Sequence, residues 1–396
     1  MSRGVVWVAA GLALLGVLLG GVYVLSRPHQ PGAIQASLSV SQVLGGDTTG
    51  FARALRPRVL SFPRDHGPHP EYRTEWWYYT GNVETADGRH FGFQLTFFRS
   101  ALAPQVAARK SAWATAQVYM AHLALTDVET GRFYAFERFS RAALGLAGAQ
   151  AQPFAVWVED WSARAQTADG LPVRLRAGQG EIGLELQLHS AKPVVLHGDR
   201  GLSHKGPEAG NASYYYSLTR MPTRGTLRIA DETFEVSGTS WMDREWSTSV
   251  LGEEYRGWDW FGLQLSDGSE LMFFRLRRVD GQPDGFSSGT LVRANGETLR
   301  LGQADVRIEV DAYWDSPRGG GRYPARWRFQ IPAERIAFEL WPHVADQELP
   351  LSIRYWEGAV AVRGQADGRP LHGHGYVELT GYAPSAQGAS RQVRSH

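Results

Sequence analysis

The feature that most limits what this chain can become is a repeat inside it. WYYTG at 77–81, Asp87-Gly88 and FFR at 97–99 make one copy; WDWFG at 258–262, Asp267-Gly268 and FFR at 273–275 make the other. A second pair follows in the same order. YSLTR at 216–220, GTLR at 225–228 and GTSW at 238–241 are echoed by YWEGAVAV at 355–362 and GHGY at 373–376. One match could be chance, but two in register are not easily so. Each half therefore opens on a W-x-x-x-G hairpin and closes on a Tyr-led hairpin, and repetition at this scale decides the fold before any single element does.

The hairpins read as β. Aromatic and β-branched residues favour strands, and Asp-Gly accepts the positive φ of a tight hairpin turn. Strands are predicted over 75–83, 90–98, 117–126, 132–139, 154–161, 183–190 and 214–221, with turns at Glu129-Thr130-Gly131 and a breaker at Pro153. Only 101–113 and a short piece at 332–335 carry a helical pattern. Many short strands with regular turn signals predict an all-β chain of two tandem antiparallel barrels, each of about 130–180 residues.

The order of segments follows. Gly4 to Leu25 carries no charge and reaches the roughly 20 residues that a membrane-crossing helix needs. Its end, Val22-Tyr23-Val24-Leu25, is bulky where a signal peptidase wants small residues. An uncleaved anchor is therefore favoured over a long signal peptide, which makes the body exported, periplasmic or otherwise extracytoplasmic, and tethered to the inner membrane. The expected division is leader 1–28, linker 29–61, first domain 62–249, second domain 250–386 and a disordered tail 387–396.

Composition removes several functions. The 396 residues carry 41 basic against 40 acidic side chains, a net charge of +1. Nucleic-acid binding normally needs a basic face, so no such partner is expected. Cysteine is absent, which excludes disulfides, thiolate chemistry and a lipoprotein anchor. No phosphate loop, dinucleotide fingerprint or G-x-S-x-G elbow occurs. His66 and His69 sit on a Pro-broken loop, and His372 and His374 at a hairpin, without carboxylate company. Neither metal nor cofactor is expected.

Asp243 is the first candidate for chemistry. As a strand, 240–245 places Trp241, Asp243 and Glu245 on one face. A carboxylate beside Trp in an apolar wall loses solvation and its pKa rises. It could then donate a proton; equally, it could pair with Arg244. His204, in the Gly-rich loop 201–206, is either a base that orients water or a solvated loop side chain. His122 sits mid-strand and reads equally as a core histidine or a site residue. Glu75, Trp76 and Tyr78 at one end of the first half, and Tyr215 at the other, belong to aromatic clusters that are either core or the lining of an apolar cavity.

Taken together, EWWYYTGNV (75–83), QVYMAHLALTD (117–127), SHKG (203–206), YYYSLTRM (214–221), SGTSWMDREWS (237–247), GWDWFGLQLSDGSELMFFRLR (257–277), YWEGAV (355–360) and GHGYVELTGY (373–382) resemble the carotenoid 1,2-hydratase (hydroxyneurosporene synthase) superfamily. The nearer likeness is to its secreted AttH-like branch. The resemblance spans about residues 60 to 384. It implies two lipocalin-like barrels with a ligand site in or beside the first, near their junction. It implies Asp243 as proton donor in the W-x-D segment, with Glu75 and His204 as catalytic partners. Trp76, Tyr78, His122, Tyr215, Trp241 and Trp258 would bind ligand. Two activities follow as expectations: cofactor-free hydration or hydrolysis of a long apolar, lipid or isoprenoid-like molecule, or a non-catalytic role beside the permease and ATPase of an ABC-type lipid or lipoprotein exporter. The leader and the SHKG form of the loop favour the AttH-like branch.

Overall fold

In a computed structural model, described for residues 47–104, 111, 113–248, 251–252, 254–319 and 321–383, the chain is all-β, as expected. The leader, the first part of the linker and the tail lie outside the described residues. Among those described, no helix is long and apolar enough to cross a membrane.

The first sheet begins with a meander: β1 (Thr74–Glu84), β2 (His90–Ala101), β3 (Gln117–Asp127) and β4 (Arg132–Arg141). Five short strands follow: β5 (Ala147–Ala151), β6 (Phe154–Val158), β7 (Trp161–Ala165), β8 (Val173–Gln179) and β9 (Ile182–Leu188). Then come β10 (Val195–Leu196), β11 (Leu202–His204) and the long pair β12 (Ala212–Ile229) and β13 (Glu232–Ser247). All pair antiparallel in the order β4-β3-β2-β1-β13-β12-β9-β8-β7-β6-β5, with β10 and β11 added on β12. β3 and β4 return to approach β5 and β6, so the barrel nearly closes.

The second sheet contains β14 (Tyr255–Leu265), β15 (Glu270–Arg278), β16 (Ser288–Val292), β17 (Thr298–Gly302) and β18 (Arg307–Asp315). It continues with β19 (Arg322–Ile331), β20 (Ile336–Pro342), β21 (Glu348–Pro350), β22 (Arg354–Ala366) and β23 (Arg369–Leu379). Its order is β17-β16-β15-β14-β23-β22-β20-β19-β18, with β21 on β22. Its short outer strands leave it a half-barrel, where the sequence predicted a full one.

The repeat is visible in the pairing. β1–β2 and β14–β15 are the two W-x-x-x-G hairpins, and each is flanked by the last strand of its own half, β13 and β23. Trp77 stands opposite Phe97, and Trp260 opposite Phe274. Gly88 and Gly268 turn the hairpins at φ of 90° and 82°, which is why glycine follows aspartate in both. Two local expectations needed revision. The predicted strand 154–161 is two strands, β6 and β7, broken where Glu159 takes a positive φ of 58°. In the predicted helical stretch 101–113, Ala101 ends β2, and 105–110 and 112 lie outside the described residues; Pro332–Glu334 is one 3-10 turn.

Period-two alternation sorts the side chains into layers. Trp77, Phe93, Phe97, Trp161, Tyr216 and Trp246 fill the first barrel. Phe261, Trp327, Phe329 and Trp356 fill the concave side of the second sheet. The opposite residues form a third layer between the sheets: Tyr78, Tyr215, Trp241, Trp260, Phe274 and Tyr376. The sheets meet closely at Gly92, where a Cβ would lie 2.5 Å from the Ala359 Cβ.

Candidate functional site

The third layer encloses a cavity of about 360 Å³. β1 and β14 supply Trp76, Tyr78, Trp258 and Trp260, and β2 and β15 supply Phe98 and Phe274. Polar groups enter this aromatic wall, among them Asp243, Glu245, Glu378, Lys205, His122 and the Glu75–Arg99 pair.

Asp243 is placed by strand alternation on β13. Met242, Arg244 and Trp246 turn into the first barrel, and Trp241, Asp243 and Glu245 turn toward the second sheet. Arg244 therefore leaves Asp243 and pairs with Glu75. Among the described residues, no cation forms an ion pair with Asp243. Its carboxyl, only 4% exposed, instead accepts three neutral donors. Trp241 Nε1–H reaches Oδ1 at 2.5 Å; the Ser217 hydroxyl also donates to Oδ1, and the Tyr215 hydroxyl to Oδ2. Behind them, Trp260 Nε1–H donates to the Tyr215 oxygen at 2.9 Å, and His197 Nε2 lies 2.6 Å from Ser217 Oγ. His197 Nδ1 ends the chain 2.9 Å from Thr290 Oγ1. Burial pushes the Asp243 carboxyl up to about 7, against the pull of the three donors. Desolvation without a counter-charge outweighs hydrogen bonding here.

Two further carboxyls approach from the second half. Glu357 and Glu378 stand opposite each other on β22 and β23. Tyr78 O–H donates to Glu357 Oε1 at 2.5 Å; Oε2 has no partner among the described residues. Burial, and next the charge of Glu378, hold Glu357 well above the carboxylate range. Burial pushes Glu378 up to about 8; a hydrogen bond from Trp258 opposes this, and Asp243 and Glu245 add to it. Asp243 and Glu378 on the cavity wall, and Glu357 behind Tyr78, are thus all held above the usual carboxylate range.

The remaining candidates fall in different places. Trp76, Tyr78, Tyr215 and Trp258 line the cavity, and Trp241 orients Asp243. Glu75 is fully buried, and its carboxylate is taken by Arg99, Arg244 and the His69 backbone N–H at 3.1 Å. Burial opposes its charge, but the two guanidinia hold it far below the usual range. This carboxylate is an ionised anchor of the barrel wall. His122 is buried and lines the cavity. Its Nδ1 lies 2.8 Å from the Tyr355 hydroxyl, which takes a bond from Gln94 Nε2 at 3.1 Å. Burial lowers His122 to about 3, so the ring is neutral. With Tyr355 donating to Nδ1, the proton sits on Nε2, which makes no hydrogen bond among the described residues and faces the Glu137 carboxylate at 3.9 Å. His204 is exposed at the end of β11 and is not part of the lining. Its neighbour Lys205 enters instead, 3.2 Å from Glu245 and 3.8 Å above the Phe274 ring.

Sequence reasoning did not single out Lys205, His197, Trp260, Glu357 or Glu378 as site residues. The last two had a signal: each is a glutamate in an otherwise apolar aromatic strand, within YWEGAV and GHGYVELTGY.

Comparison with known proteins gives the same kinship. The AttH-like family profile matches residues 53–382. The crystal structure of an AttH-type protein from Nitrosomonas europaea (NE1406) is similar at TM-score 0.75 and 35% identity, over 84% of this chain and 100% of that one. Kievitone hydratase from Nectria haematococca is similar at TM-score 0.64 and 16% identity, over 84% of this chain and 98% of that one. CghA with Sch210972 is similar at TM-score 0.50 and 16% identity, over 85% and 97%. At such identity these last two speak to the fold alone. No curated protein matches the chain significantly. With this two-sheet, lipocalin-like architecture, the chain belongs to the AttH-like family.

Proposed function

We propose that this protein takes an apolar alkene, of lipid or isoprenoid type, into the cavity between its sheets and hydrates it by acid catalysis. The observation that carries the reading is Asp243: a buried carboxyl with no counter-charge, poised near neutral pH on an aromatic wall. A general acid works best when its pKa lies near the operating pH. The alkene π pair takes the Asp243 proton and forms a C–H bond, leaving a carbocation at the other carbon. The faces of Trp76, Trp258 and Trp260 shelter that charge. A water molecule adds its oxygen to the cation, and the proton that water loses returns to the Asp243 carboxylate. Atoms and charge balance as alkene plus water giving alcohol, with no cofactor required. The Nε2–H of His122, 3.9 Å from the Glu137 carboxylate, is a donor for water or a polar ligand end. At about 360 Å³ the cavity is at the lower end of the range for ligand sites, roughly 300–1,000 Å³. A long molecule would therefore insert one end and leave the rest outside.

The test starts with ligand copurified under native conditions and identified by mass spectrometry. Wild type and Asp243→Asn are then incubated with it in heavy-oxygen water. Label should enter the product only with wild type. Equal incorporation by the variant would end the mechanism.

One observation favours a second reading. The chain is 35% identical to an AttH-type protein but 16% identical to a hydratase. In this reading the same cavity carries a lipid without changing it, tethered by residues 4–25 outside the cytoplasm beside an ABC-type exporter. Ligand that copurifies but stays unlabelled with wild type would favour this alternative.

A further inference from the structure

Apart from the carboxyl cavity, three histidines from distant parts of the chain converge. His90 begins β2, His343 follows β20, and His374 lies in β23. One ring nitrogen from each lies within 4.8 Å of the others. The rings of His90 and His343 are 4.4 Å apart between centroids, and those of His90 and His374 are 5.3 Å apart.

Their surroundings orient lone pairs as a metal site requires. His90 Nε2 lies 3.0 Å from Asn82 Oδ1, and Asn82 is itself fixed by its Nδ2–H to the Gly375 carbonyl at 3.1 Å. An amide oxygen only accepts, so the His90 proton is on Nε2 and Nδ1 carries a free pair. His343 bonds the Val360 backbone, while its Nε2 is buried with no partner among the described residues. Second contacts of this kind set the tautomer of metal-ligating histidines. The third ring, on His374, is exposed and free to swing inward.

We propose that His90, His343 and His374 form a three-histidine site for a divalent transition metal, zinc by its ligand preference, which ties the two sheets together. Imidazole suits zinc, and three protein nitrogens leave a fourth position open. Water or exposed Glu84, whose charge reaches His374, is suited to fill it. Zinc–nitrogen bonds of about 2.0–2.1 Å require the nitrogens to draw together. His374, at the surface, is the ring able to make that movement. Sequence reasoning weighed His374 only beside His372, because the three ligands come from separated parts of the chain with no recognised spacing.

The test uses untagged, chelator-treated full chain. Zinc is titrated by calorimetry and cobalt(II) by visible absorption. Wild type should bind one equivalent, show the intense d–d bands of a four-coordinate site with cobalt, and melt at a higher temperature with zinc. His343→Ala and His374→Ala should each abolish the cobalt bands. Asn82→Ala should weaken binding about 10- to 100-fold, as loss of an orienting contact does. Near-UV circular dichroism of the metal-free variants checks their fold, and exposed His374 is the substitution least able to disturb it. Absence of one-equivalent binding by wild type, or wild-type binding by folded His374→Ala, would overturn the proposal.

Discussion

Replacing Asp243 by Asn tests the electrostatics of the cavity without needing a substrate. In the unfolded chain this carboxyl ionises around its ordinary 3.8; in the folded chain it does so near 7. Between those values the folded state holds a proton that the unfolded state has lost. The contribution of Asp243 to wild-type stability therefore falls as pH rises through this window and levels off above it. At about 1.4 kcal/mol per pKa unit, the fall is about 4 kcal/mol. Asparagine does not titrate. The variant also disturbs the bonds to Tyr215, Ser217 and Trp241, at a cost of about 1–3 kcal/mol that does not depend on pH. Urea denaturation of both proteins across pH 4 to 9 isolates the term of interest. The stability of the variant relative to wild type should climb by about 4 kcal/mol between about pH 4 and 8. A flat difference would show that Asp243 titrates normally. A difference that fell with pH would show a carboxylate stabilised as an anion, and either result would refute the reasoning.

Three further outcomes follow from neighbouring contacts. Trp241→Phe removes a donor that favours the Asp243 anion, so the acid should titrate still higher; carboxyl NMR or the basic limb of a pH–rate profile would record it. Glu75→Gln leaves Arg99 and Arg244 buried without their shared counter-ion, and should cost about 3–5 kcal/mol in urea denaturation at neutral pH. Because the Glu75 pKa is depressed, its contribution is present above 4.5 and is lost as pH falls, so the two proteins should converge in acid. Tyr78→Phe leaves both oxygens of buried Glu357 unpartnered and should cost about 1–3 kcal/mol in the same measurement.

Much of this was legible in the chain. The doubled hairpin motif announced two related β units, because Asp-Gly turns and aromatic strands are local signals. Alternation alone placed Trp241, Asp243 and Glu245 on one face, and the structure puts Arg244 on the other. What stayed hidden depends on non-local packing. Glu378 reaches the cavity, and Glu357 the Tyr78 hydroxyl, only because β22 and β23 press against the first barrel. His204 and Lys205 are adjacent, and nothing in SHKG says which one turns inward. Glu75 beside two tryptophans does line the cavity, but its partners Arg99 and Arg244, from two other strands, keep it ionised. Closure of the second sheet was equally out of reach, since it depends on how the short strands β16 and β17 end.

The face-to-face seating of the sheets sets the acidity of Asp243. A single hairpin-bounded half, alone in water, would leave Asp243 hydrated, and it would be an ordinary acid, ionised at neutral pH. The second half acts as the solvent of the first, a dry aromatic medium that sets acidity from outside the strand bearing the group. Proton-donating ability of this kind is a property of the fused pair.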